Sequence, residues 1–124
     1  MTLKDGTIYS GEIVKRNNEY CIEGKGRMTY TDGAYYEGHW KDGHMHGRGM
    51  FVWNKAGRRY EGDYHIGTKE GFGKYYYNNS KWYEGMWEDG KQHGEGAMYQ
   101  NGHKVFSGRW NHGVQQDIGG NDRF

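Results

Sequence analysis

One short pattern recurs five times along this 124-residue chain and limits what the chain can become. It consists of an aromatic residue, Ser or Glu, Gly, any residue, then an apolar residue. The copies are Tyr9-Ser10-Gly11-Glu12-Ile13, Tyr36-Glu37-Gly38-His39-Trp40, Tyr60-Glu61-Gly62-Asp63-Tyr64, Tyr83-Glu84-Gly85-Met86-Trp87 and Phe106-Ser107-Gly108-Arg109-Trp110. Their glycines stand 27, 24, 23 and 23 residues apart. A second pattern, Gly-x-Gly, follows in the first four units, at Gly24/Gly26, Gly47/Gly49, Gly71/Gly73 and Gly94/Gly96, advancing by 23, 24 and 23. A fixed period of this length marks a repeat architecture, in which each unit buries its apolar face against its neighbours.

The spacing sets the units. They run over about 6–33, 34–57, 58–80 and 81–102, with a half-unit at 103–113 that has Trp110 but no Gly-x-Gly after it. Together they make one repeat domain over 1–113, and 114–124 reads as a flexible C-terminal tail. Unit one carries four extra residues within Val14–Glu23, and unit two carries one within Asn54–Gly57. Both insertions fall between motifs, where a loop tolerates added length.

Each motif alternates with period two, the signature of a strand. Tyr36, Gly38 and Trp40 share one face, while Glu37 and His39 share the other. Gly47, Gly49, Phe51 and Trp53 line up in the same way, as do Gly71, Gly73, Tyr75 and Tyr77. Asp42-Gly43, Asp89-Gly90, Asp32-Gly33 and Asn101-Gly102 supply hairpin turns. The expected fold is all-β: a single-layer antiparallel meander of stacked β-hairpins with nine to ten strands. The glycines Gly38, Gly47, Gly49, Gly62, Gly71, Gly73, Gly85, Gly94 and Gly96 are expected to leave notches in which neighbouring rings lie over bare backbone. The opposite face is expected to be charged, with Glu37, Glu61, Glu84, Arg48 and Lys74.

Composition supports a thin structure. Leu, Ile, Val and Phe together supply only 14 residues, too few for an aliphatic interior, while aromatics make up 17%. Glycine numbers 23, at about 1 kcal/mol per helical site, which argues against a helix bundle. The net charge of +1 excludes a dedicated nucleic-acid binder and gives no basic cluster for electrostatic membrane docking. No run approaches the length of a spanning helix. Met1–Gly6 contains no apolar stretch of the kind a secretory leader needs, and the one cysteine, Cys21, fits a reducing compartment.

The stretch Tyr83-Glu84-Gly85-Met86-Trp87-Glu88-Asp89-Gly90-Lys91-Gln92-His93-Gly94-Glu95-Gly96 resembles the MORN repeat (membrane occupation and recognition nexus). Tyr36–Gly49 resembles it nearly as well, and the likeness extends over about 6–113, four and a half repeats. The resemblance implies hairpins stacked into a groove-like sheet. It also implies a protein-interaction scaffold of the kind found in cilia, flagellar axonemes and the cortical cytoskeleton, hence a cytoplasmic location. Phospholipid contact is a weaker implication.

Other chemistry is less well supported by the residues. His44-x-His46 lies in a turn without a ligand set at a zinc spacing, and His46 and His93 share one repeat slot, so no metal is expected. Gly-x-Gly is followed by no helix and so is no phosphate loop. Glu37, Glu61 and Glu84 recur in every unit, so no pair stands out for acid–base work, and Cys21 has no assignable base. No catalytic residue and no cofactor is expected. The aromatic face remains: Tyr36, Trp40, Phe51, Trp53, Tyr60, Tyr64, Tyr75, Tyr77, Tyr83, Trp87 and Trp110. Some of these rings are expected to stack within the sheet, and the others to form a groove for a partner helix or extended segment. A phosphoinositide headgroup is the alternative ligand.

Overall fold

Turn chemistry sets the topology. In the computed structural model, which describes residues 1–116, the hairpin inside each unit closes through two residues that both have positive φ. These pairs are Asn17-Asn18, Asp42-Gly43, Ile66-Gly67, Asp89-Gly90 and His112-Gly113. This is the type I′ geometry, whose twist matches that of paired strands.

The strands run in chain order. They are β1 (Ile8–Arg16), β2 (Glu19–Thr29), β3 (Tyr35–Lys41), β4 (His44–Val52), β5 (Arg59–His65), β6 (Thr68–Tyr76), β7 (Lys81–Glu88), β8 (Lys91–Gln100), β9 (His103–Asn111) and β10 (Val114–Gln115). All ten form one open antiparallel sheet in which every strand pairs with its sequence neighbours. No described residue is helical.

Register turns the sequence repeat into rows across the sheet. Gly11, Gly26, Gly38, Gly49, Gly62, Gly73, Gly85, Gly96 and Gly108 face one another in an unbroken line over nine strands. On one side of this line runs the row Tyr9, Met28, Tyr36, Phe51, Tyr60, Tyr75, Tyr83, Met98 and Phe106. On the other side Trp40, Tyr64, Trp87 and Trp110 stand opposite Gly24, Gly47, Gly71 and Gly94.

The rings close over the glycine row and form the core. Tyr9, Trp40, Tyr36, Tyr64, Tyr60, Trp87, Tyr83, Trp110 and Phe106 touch in that order, each contact edge-to-face with interplanar angles of 80° to 90°. Each such pair adds about 0.5–1.5 kcal/mol beyond the area it buries. The polar atoms are satisfied locally. The hydroxyls of Tyr9, Tyr36, Tyr60 and Tyr83 each donate to the carbonyl three residues on, at 2.7–3.0 Å. The indoles of Trp40 and Trp87 donate to the Gly26 and Gly73 carbonyls.

The glycines divide the work in a way the sequence reading did not anticipate. Gly26, Gly49, Gly73 and Gly96 are the notches, and a Cβ on any of them would collide with a tyrosine phenol. Gly38, Gly62 and Gly85 instead let two backbones approach, because a Cβ there would meet the Cα of the glycine opposite. Gly47, Gly71 and Gly94 have no ring above them. They sit at positive φ where the register slips inside each hairpin, for example between Gly38 and Trp40 on the facing strand. They are bulge glycines.

Three further expectations change. The four extra residues of unit one form no loop: they add the pairs Lys15–Tyr20 and Arg16–Glu19 to a longer hairpin, and Cys21 lies in β2 opposite Val14. Part of the expected tail is ordered, since Val114 and Gln115 pair with Asn111 and Trp110; residues 117–124 lie outside the described residues. The charged face also carries rings. Thr29, Tyr35, Val52, Arg59, Tyr76, Trp82 and Tyr99 form a row there, with Trp82 and Tyr99 stacked at 8° and Arg59 over Tyr76. Strand alternation forces this, because each follows or precedes a residue of the row that begins at Tyr9 on the aromatic face.

Candidate functional site

Of the eleven rings expected to line a groove, seven turn inward. Tyr36, Tyr60 and Tyr83 have no exposed surface, and Trp40, Tyr64, Trp87 and Trp110 are also buried. Their surface is spent within the sheet. Phe51, Trp53, Tyr75 and Tyr77 keep accessible surface and touch in sequence, with centroids 4.6, 5.5 and 5.0 Å apart. Tyr30 extends this cluster by stacking on Phe51. The cluster exists because Phe51 and Trp53, at and just beyond the end of β4, and Tyr75 and Tyr77, at and just beyond the end of β6, stand two residues apart and so share one face.

The sequence reading missed two cations among these rings. The Lys69 ammonium lies 5.4–5.9 Å from the centroids of Tyr60, Trp53, Trp87 and Tyr75. Burial, and then the nearby Arg58, holds its pKa below the usual lysine value. The Arg58 guanidinium lies over Trp53 at 4.8 Å and donates from Nε to the Tyr75 hydroxyl at 2.7 Å. Lys81 sits over Tyr77, whose hydroxyl accepts from Gln92. Repeat alignment carried a signal for Lys69: it fills the slot two residues before the bulge glycine, held by Met45 in unit two and Gln92 in unit four.

Burial raises the core phenols. Tyr36 and Tyr83 are pushed up to about 12, and Tyr60 and Tyr64 are raised further. These are inert, neutral hydroxyls, unsuited to proton transfer near neutral pH.

Two side-chain groups have the composition of metal sites but the wrong hydrogen bonding. Glu88, His93 and His112 bring their ligand atoms together. However, His93 Nδ1 accepts the backbone N–H of His112 at 3.0 Å, which leaves the proton of the neutral ring on Nε2, the nitrogen facing Glu88. His46 accepts the Ile66 N–H in the same way, so this is a repeated turn brace. Near Cys21, Glu23 and Asp42 already hold the Arg16 guanidinium between them at 2.8 and 3.0 Å.

The fold and this face define a class: a single-sheet repeat protein made of β-hairpins zipped together by aromatic rings over glycines. The MORN repeat profile matches residues 22–35, 36–58, 60–81 and 83–104, and the chain belongs to the MORN-repeat family. The phosphatidylinositol 4-phosphate 5-kinase 1 of Oryza sativa subsp. japonica is 38% identical over 52 residues. That stretch is 42% of this chain, and the chain spans only 6% of the length of that kinase.

Proposed function

We propose that this protein is a non-catalytic interaction scaffold whose half-exposed ring cluster takes a helix or extended segment of a protein partner. One observation carries this reading: Phe51, Trp53 and Tyr75 pack against the buried core yet keep accessible surface, and with Tyr77 they form a continuous half-exposed cluster. Large rings held rigid on strands, with apolar bodies and polar tips, are the residues that dominate binding energy. No group on the sheet offers a reactive nucleophile–base pair, which favours binding over catalysis. The family resemblance supports placing the partner assembly in a ciliary axoneme or the cortical cytoskeleton, on the cytoplasmic side of the membrane.

The test is affinity purification from a ciliated source with tagged wild type and the double variant Trp53→Ala, Tyr77→Ala. Both residues lie just beyond the ends of β4 and β6, so the variant is expected to stay folded by circular dichroism. It should lose a partner that the wild type recovers. An unchanged partner set from a folded variant would sink the reading.

A second reading rests on the likeness to a phosphoinositide kinase together with Arg58 and Lys69: the face takes a phosphorylated lipid headgroup. Co-sedimentation with vesicles containing phosphatidylinositol 4,5-bisphosphate tests it, and it requires salt-sensitive binding that Lys69→Met reduces.

A further inference from the structure

Charge is segregated between the two faces of the sheet. The rows of the aromatic face contain no Asp or Glu, whereas Glu37, Glu61, Asp63, Glu84 and Glu95 all belong to rows of the other face. There they meet Arg27, Arg59, Arg48, Lys74 and Arg109. Arg58 stands apart. Among the six described arginines it alone has no carboxylate within 4.0 Å, and Lys69 has none among the described residues either. The Nε of Arg58 is used by Tyr75, while its two Nη groups donate to no side chain among the described residues. A half-buried guanidinium fork and a half-buried ammonium thus share one patch of rings without an ion-pair partner among the described residues; Asp32, which lines the Tyr30 end of the patch beside Phe51 and Trp53, accepts the Ala34 N–H and pairs with neither cation.

We propose that the segment bound by this face carries an Asp or Glu whose carboxylate docks between Arg58 and Lys69, flanked by large apolar side chains that rest on Phe51, Trp53 and Tyr77. This rests on the binding reading above and adds the chemistry of the partner. Cation–π contact accommodates the two charges in the free protein, but a carboxylate makes shorter, charge-assisted bonds to the Arg58 fork. The rings around the cations favour a single acidic side chain within an apolar segment over a packed lipid surface. The ammonium lies among the rings where a lone side chain can reach it, and a net charge of +1 gives little pull toward a bilayer.

The experiment pans a displayed library of random peptides on the full chain and measures recovered peptides by fluorescence anisotropy. They are titrated against wild type, Arg58→Gln, Lys69→Met and, as a control, Lys91→Gln in an exposed hairpin. Met fills the Lys69 slot in unit two, so Lys69→Met should melt like wild type. Recovered peptides should carry Asp or Glu beside large apolar residues. Arg58→Gln and Lys69→Met should each weaken them about tenfold or more, with Lys91→Gln unchanged. Replacing the acidic residue of the peptide by its amide should cause a similar loss, and little more when combined with Arg58→Gln. Peptides that bind without an acidic residue, or bind both variants as well as wild type, overturn this proposal and leave the binding reading standing. Recovery of no peptide overturns both. Binding that depends on Lys69 but is seen only with phosphatidylinositol 4,5-bisphosphate vesicles overturns it in favour of a headgroup.

Discussion

The phenol of Tyr60 on β5 lies across Gly73 on β6, filling the space a side chain there would take. The ring cannot swing away. It has no exposed surface, and Tyr64 and Trp87 meet it edge-on at 5.2 and 5.4 Å. Gly73→Ala therefore overpacks a rigid site and should destabilise the sheet by about 3 kcal/mol. Urea unfolding followed by tryptophan fluorescence reads this directly. A loss under a few tenths would show that the ring is not pinned.

Gly47 should respond differently, although it belongs to the same Gly-x-Gly. A Cβ there meets nothing closer than the His39 Cβ at 3.7 Å, but the backbone sits at φ +79°. The cost of Gly47→Ala is conformational, about 1 kcal/mol, and Gly47→Asn should recover part of it because Asn tolerates this region. No such recovery is expected at Gly49, where the obstacle is the Tyr36 phenol. Comparing Ala and Asn at the two positions separates steric from backbone effects.

That distinction marks how far the sequence could be read. Period-two alternation and the Asp-Gly turns were enough for the hairpin meander, because side-chain direction in a strand follows from position alone. Alternation says nothing about where register slips, so Gly47, Gly71 and Gly94 looked equivalent to Gly49, Gly73 and Gly96 until the bulges placed them. The buried ring face was legible as a face. Which rings remain accessible was not, because that depends on diagonal contacts such as Tyr36 on Tyr64 and Tyr83 on Trp110 across strands. Lys69 was missed for a related reason. A lysine reads as solvated until the repeat slot puts it among four rings.

The core phenols make the fold alkali-sensitive over a defined window. Burial pushes Tyr36 and Tyr83 up to about 12, against 10.0 for an unburied phenol. Between these values the unfolded chain has released phenolic protons that the folded sheet retains, so the folded state binds more protons and stability falls as pH rises. Below pH 10.0 these groups contribute no dependence. Tyrosinate absorbance should therefore show a late fraction, from the buried phenols, that appears together with loss of the sheet signal in circular dichroism. Titration of all tyrosines near their ordinary value with the sheet intact would contradict the buried ladder.

Ile66 opens its hairpin turn at φ 44°, a left-handed conformation that a β-branched side chain tolerates poorly, and its side chain is 54% exposed. The same turn position holds Asn17, Asp42 and Asp89 in other units, residues whose short polar side chains suit it. Ile66→Asn should relieve strain without losing buried contacts and raise stability by about 1 kcal/mol, seen as a higher urea midpoint with an unchanged slope. The neighbouring register should hold, because the Ile66 N–H to His46 Nδ1 bond uses the backbone and is kept by any side chain at this position. A lower midpoint in Ile66→Asn would mean that the isoleucine contributes contacts that its exposure does not reveal.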